Sequence, residues 1–135
     1  MCSQAVFAAF SPSLDFEKEK ALKIAACFGS GMRKGEVCGA CTGALMVLGL
    51  KYGESKTKSN EACEKFLETF EKENGSYICN DLLGCDIRTP AGVEFAVKNN
   101  LFKEFCPKMV ESVARITKKI IEYDSKNYPS KLDFK

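Results

Sequence analysis

From Cys106-Pro107 onward, Met109, Val110, Val113, Ile116, Ile120 and Ile121 recur at spacings of three and four, with lysines and acids between them. A strand would bury every second residue, whereas this period lays one stripe along the side of an α-helix. The same period governs most of the chain. Ala21, Ile24, Ala25 and Phe28 form an earlier stripe, and Ala62, Cys63, Phe66, Leu67 and Phe70 another. Between the stripes stand residues that stop helices: Ser11-Pro12, Gly29-Ser30-Gly31, Gly53, Gly75 and Gly84. Thr89-Pro90 is a start signal, an N-cap followed by proline in the first turn. The pattern predicts helices over about 3–10, from near 15 to 28, 38–52, 59–74 and 89–97, a single turn at 79–83, and a long helix from 106. Gly53 is predicted in the left-handed position that ends a helix.

No segment alternates with the strand period, so the predicted fold is all-α: one single-domain bundle of five to seven helices. At 135 residues, 45% apolar and 28% charged, the chain can bury a core of its own. The helical domain is predicted over 1–125, with a frayed tail at 126–135. Twenty basic residues stand against 18 acidic ones, a net charge of +2. They interleave along helices and do not cluster, which excludes an electrostatic case for nucleic acid. The longest apolar run, 44–50, is too short to cross a bilayer, so no membrane insertion is expected. The opening MCSQAVFAAF lacks the basic flank of a signal peptide, which predicts a cytoplasmic location.

Two compositional facts direct the chemistry. The chain has eight cysteines and no histidine. Without histidine there is no His acid–base catalysis, no Cys–His nucleophile, no mixed Cys/His zinc site and no C-x-x-C-H haem attachment. What remains is thiol chemistry. Cys27, Cys41 and Cys63 fall inside predicted helices, where cysteine serves as a small hydrophobe, and Cys85 falls in a loop. Cys2, Cys38, Cys79 and Cys106 each fall at the first turn of a predicted helix. Unpaired N–H groups and the positive dipole end there favour a thiolate or a bound anion. Convergence of the four would make one four-cysteine site.

Cys38-Gly39-Ala40-Cys41 also has the spacing of a redox dithiol, with Cys38 as attacker and Cys41 as resolving thiol. A thioredoxin-type motif needs a strand before it and a βαβ setting, whereas here a Gly/Lys/Arg turn precedes it. Gly39 and Gly43 lie four apart on one helix face, beside Ala40 and Ala44. Such a strip admits either a close helix crossing or a compact cofactor.

CGACTG, residues 38–43, resembles the CGAxxG signature of the C_GCAxxG_C_C family, described as redox-active. MCSQAVFAAF is similar to the family's opening Cys-x-Gln-Ala-Val stretch, SYICNDLLGCD to its Cys-x-x-Leu-Leu-Gly segment, and LFKEFCPKMV to its Cys-Pro-x-x-Val segment. The resemblance implies that Cys2, Cys38, Cys79 and Cys106 are the family cysteines and that Cys41 and Cys85 are departures. The family is also similar to the iron–sulfur part of split-Soret cytochromes, whose haem chemistry cannot carry over to a chain without histidine. The expectation is therefore an iron–sulfur cluster, two-iron or four-iron, held by Cys2, Cys38, Cys79 and Cys106 for electron transfer. Gly39 and Gly43 would give it room, and it need not survive isolation. Arg33 and Lys34 would offset its charge or simply be solvated. The alternatives are a thiol–disulfide oxidoreductase using Cys38, a structural zinc site of four cysteines, and a helical interaction module. The redox partner protein, oligomeric state and enzyme status stay open.

Overall fold

The computed structural model describes residues 1–127, with side chains through Asp124. Within them seven α-helices form where the apolar stripes lie between glycine and proline stops: α1 (Cys2–Phe10), α2 (Lys18–Ile24), α3 (Gly39–Tyr52), α4 (Lys56–Asn74), α5 (Cys79–Leu83), α6 (Pro90–Lys98) and α7 (Cys106–Asn127). The all-helical single domain is as the sequence predicts. Two starts are capped by side chains. Lys58 N donates to Ser55 Oγ at 3.1 Å and Gly92 N to Thr89 Oγ1 at 3.0 Å, each satisfying an orphan amide. Gly75 and Gly84 end α4 and α5 at φ 91° and 73°, a region that favours glycine. Gly53 does not follow that rule. Its φ is −65°, because the chain runs on right-handed from α3 into the Ser55 cap.

The second stripe also departs from expectation. Ser11–Leu14 makes a 3₁₀ turn that closes at Asp15 with φ 60°, so α2 begins later than predicted, at Lys18. It then tightens into another 3₁₀ turn at Ala25–Cys27. The change of pitch leaves Ala21 and Ala25 buried but turns Ile24 out to 51% exposure, and Cys27 is exposed too. The tail predicted from residue 126 meets α7 continuing through Asn127, and residues 128–135 lie outside the described part. No described helix is long and apolar enough to cross a membrane.

Helix α3 is the axis of the core. Ala40, Cys41, Ala44 and Val47 are fully buried along it, with α1 on one side and α4 and α7 on the other. Phe66 and Phe70 of α4 stack at 6.1 Å between ring centres, and Val113 and Ile116 of α7 complete that side. Burying one such side chain stabilises by about 1.5–3 kcal/mol. The small-residue strip on α3 is what lets α1 in. A Cβ on Gly43 would stand 2.7 Å from Ser3 O and 3.1 Å from Val6 Cβ. The room expected for a cofactor at Gly39 and Gly43 is thus taken by the chain itself. α1 is fixed to α2 by Ser3 Oγ donating to Ala25 O at 2.9 Å and Gln4 Nε2 to Leu22 O at 2.9 Å. A second, smaller cluster gathers Cys79, Leu83, Ile87 and Ala96, with Phe102, Phe105 and Cys106 packed on it.

Candidate functional site

The turn before α3 is built from unfavourable backbone. Ser30, Gly31, Met32 and Arg33 follow one another at φ 55°, 61°, 57° and 63°, and Gly35 at 69°. Left-handed geometry costs a non-glycine residue about 1–2 kcal/mol, so three of these positions are strained. Gly35 has no alternative residue, since a Cβ there would collide with the Asn80 side chain. Asn80 is itself held, with Nδ2 donating to Asp86 Oδ1 at 2.9 Å and Oδ1 accepting from Ile87 N at 3.0 Å. Arg33 and Lys34 are exposed on the outside of the turn.

The chain leaves this turn through one antiparallel bridge, Val37 with Ile78. Cys38 N donates to Tyr77 O at 2.8 Å, and Cys79 N donates to Glu36 O. Just beyond the bridge each segment becomes a helix. The antiparallel pairing sets Cys38 against Tyr77 and Cys79 against Glu36, so the two cysteines lie diagonally across the bridge at the starts of α3 and α5. Cys38 is the N-cap of α3, and Cys79 is the first residue of α5.

Cys38 and Cys41 lie one helical turn apart, 8% and 0% exposed. The Cys38 thiol is pulled down from the ordinary 9.0 to about 7. The main cause is the Cys41 thiol donating to it; the backbone N–H groups of Cys41 and Ala40 add to this, and burial opposes it. Those amides belong to the unpaired first turn of α3, where an anion is favoured. The Cys41 thiol moves the other way, well above its usual range. Its hydrogen bond to Cys38 holds its proton first, followed by burial and by the charges of Cys38 and Cys2. The pair thus shares one proton, carried on Cys41, with the anion on Cys38.

The other three predicted ligands are nearby but differently placed. Burial, then the charges of Cys38, Cys106, Cys2 and Cys85, pushes Cys79 up to about 12. Burial, then Cys2 and Cys38, pushes Cys106 up to about 11. Both pack into the second apolar cluster. Cys2 opens α1, half-buried, with its sulfur on the backbone of Gly39. Cys85, raised by burial and then by Asp86, belongs to the loop after α5. All four predicted cysteines do stand at helix starts, as the sequence implied.

They do not form a metal centre. Among the described residues no group of three or more cysteines or carboxylates is arranged to hold a metal ion. The iron–sulfur cluster expected on Cys2, Cys38, Cys79 and Cys106, the electron transfer attached to it and the four-cysteine zinc alternative are all corrected by this geometry. Cys38 is engaged with Cys41, Cys2 rests on a backbone, and Cys79 and Cys106 sit in another apolar cluster. The four gather about the start of α3, but no three of them are arranged to hold a metal ion. The sulfur that matters most to Cys38 is Cys41. Its signal was present in the Cys-x-x-Cys spacing, which equals one helical turn.

The C_GCAxxG_C_C family model, described as "Putative redox-active protein (C_GCAxxG_C_C)", matches residues 1–120. No curated protein and no solved structure matches the chain.

Proposed function

The chain belongs to the C_GCAxxG_C_C family, and on that premise we propose that it is a thiol–disulfide redox protein whose reacting pair is Cys38 and Cys41. Cys38 is the attacking thiolate and Cys41 the resolving thiol. The single observation that carries this reading is the placement of Cys38 and Cys41 one helical turn apart at the start of α3, where the Cys41 thiol donates to Cys38 and holds it down to about 7. At neutral pH about half of Cys38 is then anionic, against about 1% for a thiol at 9. Residues at i and i+3 on a helix lie within reach of the Cα separation, about 4.4–6.8 Å, that a disulfide tolerates. In the oxidising direction the Cys38 thiolate attacks an incoming disulfide and releases one of its sulfurs as thiolate. Cys41 then attacks Cys38, releases the second sulfur and gives up its proton. Two electrons and the one proton on Cys41 leave the pair, and one disulfide is formed for one consumed. Eight unpaired cysteines suit a reducing compartment, and a cytoplasmic location is part of the same proposal.

The experiment is peptide mapping after mild oxidation with hydrogen peroxide. A disulfide joining Cys38 to Cys41, reversed by dithiothreitol and absent in Cys38→Ser, is expected. Oxidation that leaves both residues as free thiols contradicts the reading.

A further inference from the structure

A buried dithiol poses a problem of access. Cys41 is fully buried and Cys38 is 8% exposed, so a bulky disulfide has poor approach to either sulfur. Exchange requires the attacking sulfur to reach the far side of the bond it breaks, which a buried wall prevents. Two neighbouring thiols are more open, Cys2 and Cys106, and of these Cys2 lies at the start of α3. Cys2 is half-exposed, and its Sγ would lie only 2.6 Å from a Cβ placed on Gly39, the residue that follows Cys38. Its place is fixed. Ala5 N donates to Met1 O at 2.9 Å, Ser3 is completely buried and bonded to Ala25, and Val6 is in the core. Glycine at 39 is what allows that sulfur so near the start of α3. Of the other thiols in this neighbourhood, Cys79 is buried, and Cys106, partly buried like Cys2, packs against the second apolar cluster, whereas Cys2 packs against the core that holds Cys38 and Cys41.

We propose that Cys2 is the exchange thiol of this site, carrying a disulfide between an external partner and the Cys38–Cys41 pair. This relay rests on the redox reading of that pair. Its steps balance. The Cys2 thiolate attacks the partner's disulfide, forming a mixed disulfide and releasing one partner thiolate. Cys38 attacks Cys2 Sγ, and the second partner thiolate leaves. Cys41 attacks Cys38, Cys2 leaves as thiolate, and the Cys41 proton passes to one of the released partner thiolates. Cys2 ends as the thiolate it began as, the pair is oxidised by two electrons, and the partner disulfide becomes one thiol and one thiolate. The charge of a Cys2 thiolate also bears on Cys41, Cys79 and Cys106, as that of a sulfur standing among them would. The partner is defined by chemistry, an accessible disulfide on a small thiol or on a protein.

The test compares wild type, Cys2→Ser and Cys27→Ser. The last removes an exposed thiol that the relay does not use. The rate of Cys38–Cys41 disulfide formation is followed with three oxidants: hydrogen peroxide, glutathione disulfide and insulin. Peroxide is small enough to reach Cys38 unaided, so all three proteins should respond to it alike. With at least one disulfide oxidant, Cys2→Ser should be slower than wild type by about tenfold or more, with Cys27→Ser unchanged; which oxidant shows the loss identifies a small or a protein partner. Equal rates for wild type and Cys2→Ser with both disulfides overturn the relay and leave the pair intact. Failure of peroxide to join Cys38 to Cys41 in wild type overturns both. Cys2→Ala supplies the same readout should serine disturb α1.

Discussion

Removing the Cys41 thiol isolates the interaction on which the reactivity of Cys38 depends. The fall from 9.0 to about 7 corresponds to a preference for the thiolate of about 3 kcal/mol. Its largest cause is the Cys41 thiol, while burial works against it. In Cys41→Ala the amides of the first turn remain, burial remains, and the donor is gone. The Cys38 titration should therefore return to 9 or above. At pH 7 the thiolate fraction drops from about one half to about 1%, but a more basic thiolate is intrinsically about eightfold more nucleophilic. The net loss of alkylation rate at pH 7 is then about sixfold. Above pH 9, where most of the variant's thiol becomes anionic, the variant should react faster, so the two pH profiles cross. The assay is the rate of iodoacetamide alkylation at the peptide carrying Cys38, measured by mass spectrometry between pH 5 and pH 10. A midpoint that stays near 7 in Cys41→Ala would show that the helix start alone holds the anion. Parallel profiles that never cross would refute the shared proton.

The same structure makes further claims about stability. Gly43→Ala pushes a methyl against Ser3 O and Val6; overpacking of this kind costs about 1–3 kcal/mol, and thermal unfolding should shift downward by about 3–11 °C. An unchanged Tm would mean that α1 stands further from α3 than described. Asn80→Ala removes the side chain that holds Asp86 and Ile87. It should cost about 1–2 kcal/mol in urea unfolding, and Cys79 should be alkylated faster in the native protein. Thr89→Ala removes the amide cap of α6 and should cost about 1 kcal/mol in the same assay. The raised thiol of Cys79 gives a pH dependence with a definite sign. In the unfolded chain it ionises near 9.0 and in the folded one near 12, so its contribution is full below pH 9 and is lost as pH rises toward 12. Cys79→Ala should flatten that alkaline loss; an unaltered alkaline limb would assign it elsewhere.

Much of the fold was legible because the helices carry their own punctuation. The stripe on α7 gave Val113 and Ile116 their buried places, and Thr89-Pro90 opened α6 as capping chemistry requires. The failures came where tertiary context overrides local pattern. Ile24 lies on the expected face, but the 3₁₀ turn at Ala25–Cys27 changes the pitch beneath it. Gly53 has the right residue type for a left-handed stop, yet a following cap lets the chain continue right-handed. At the site, the gathering of Cys2, Cys38, Cys79 and Cys106 around helix starts was readable from position. The absence of a metal-holding arrangement among them was not, because their placement depends on the Val37–Ile78 bridge and on α1 filling the glycine strip. The left-handed run at 30–33 gave no sequence warning either, since serine, methionine and arginine seldom adopt it.

Equilibration of the protein with graded mixtures of reduced and oxidised glutathione, followed by acid quenching and mapping of Cys38 and Cys41, bears most directly on the redox pair. A single two-electron transition, in which both thiols disappear together into one intramolecular disulfide and which either Cys38→Ser or Cys41→Ser abolishes, is the predicted result. Two thiols that oxidise independently, or a transition that persists in both variants, would contradict it.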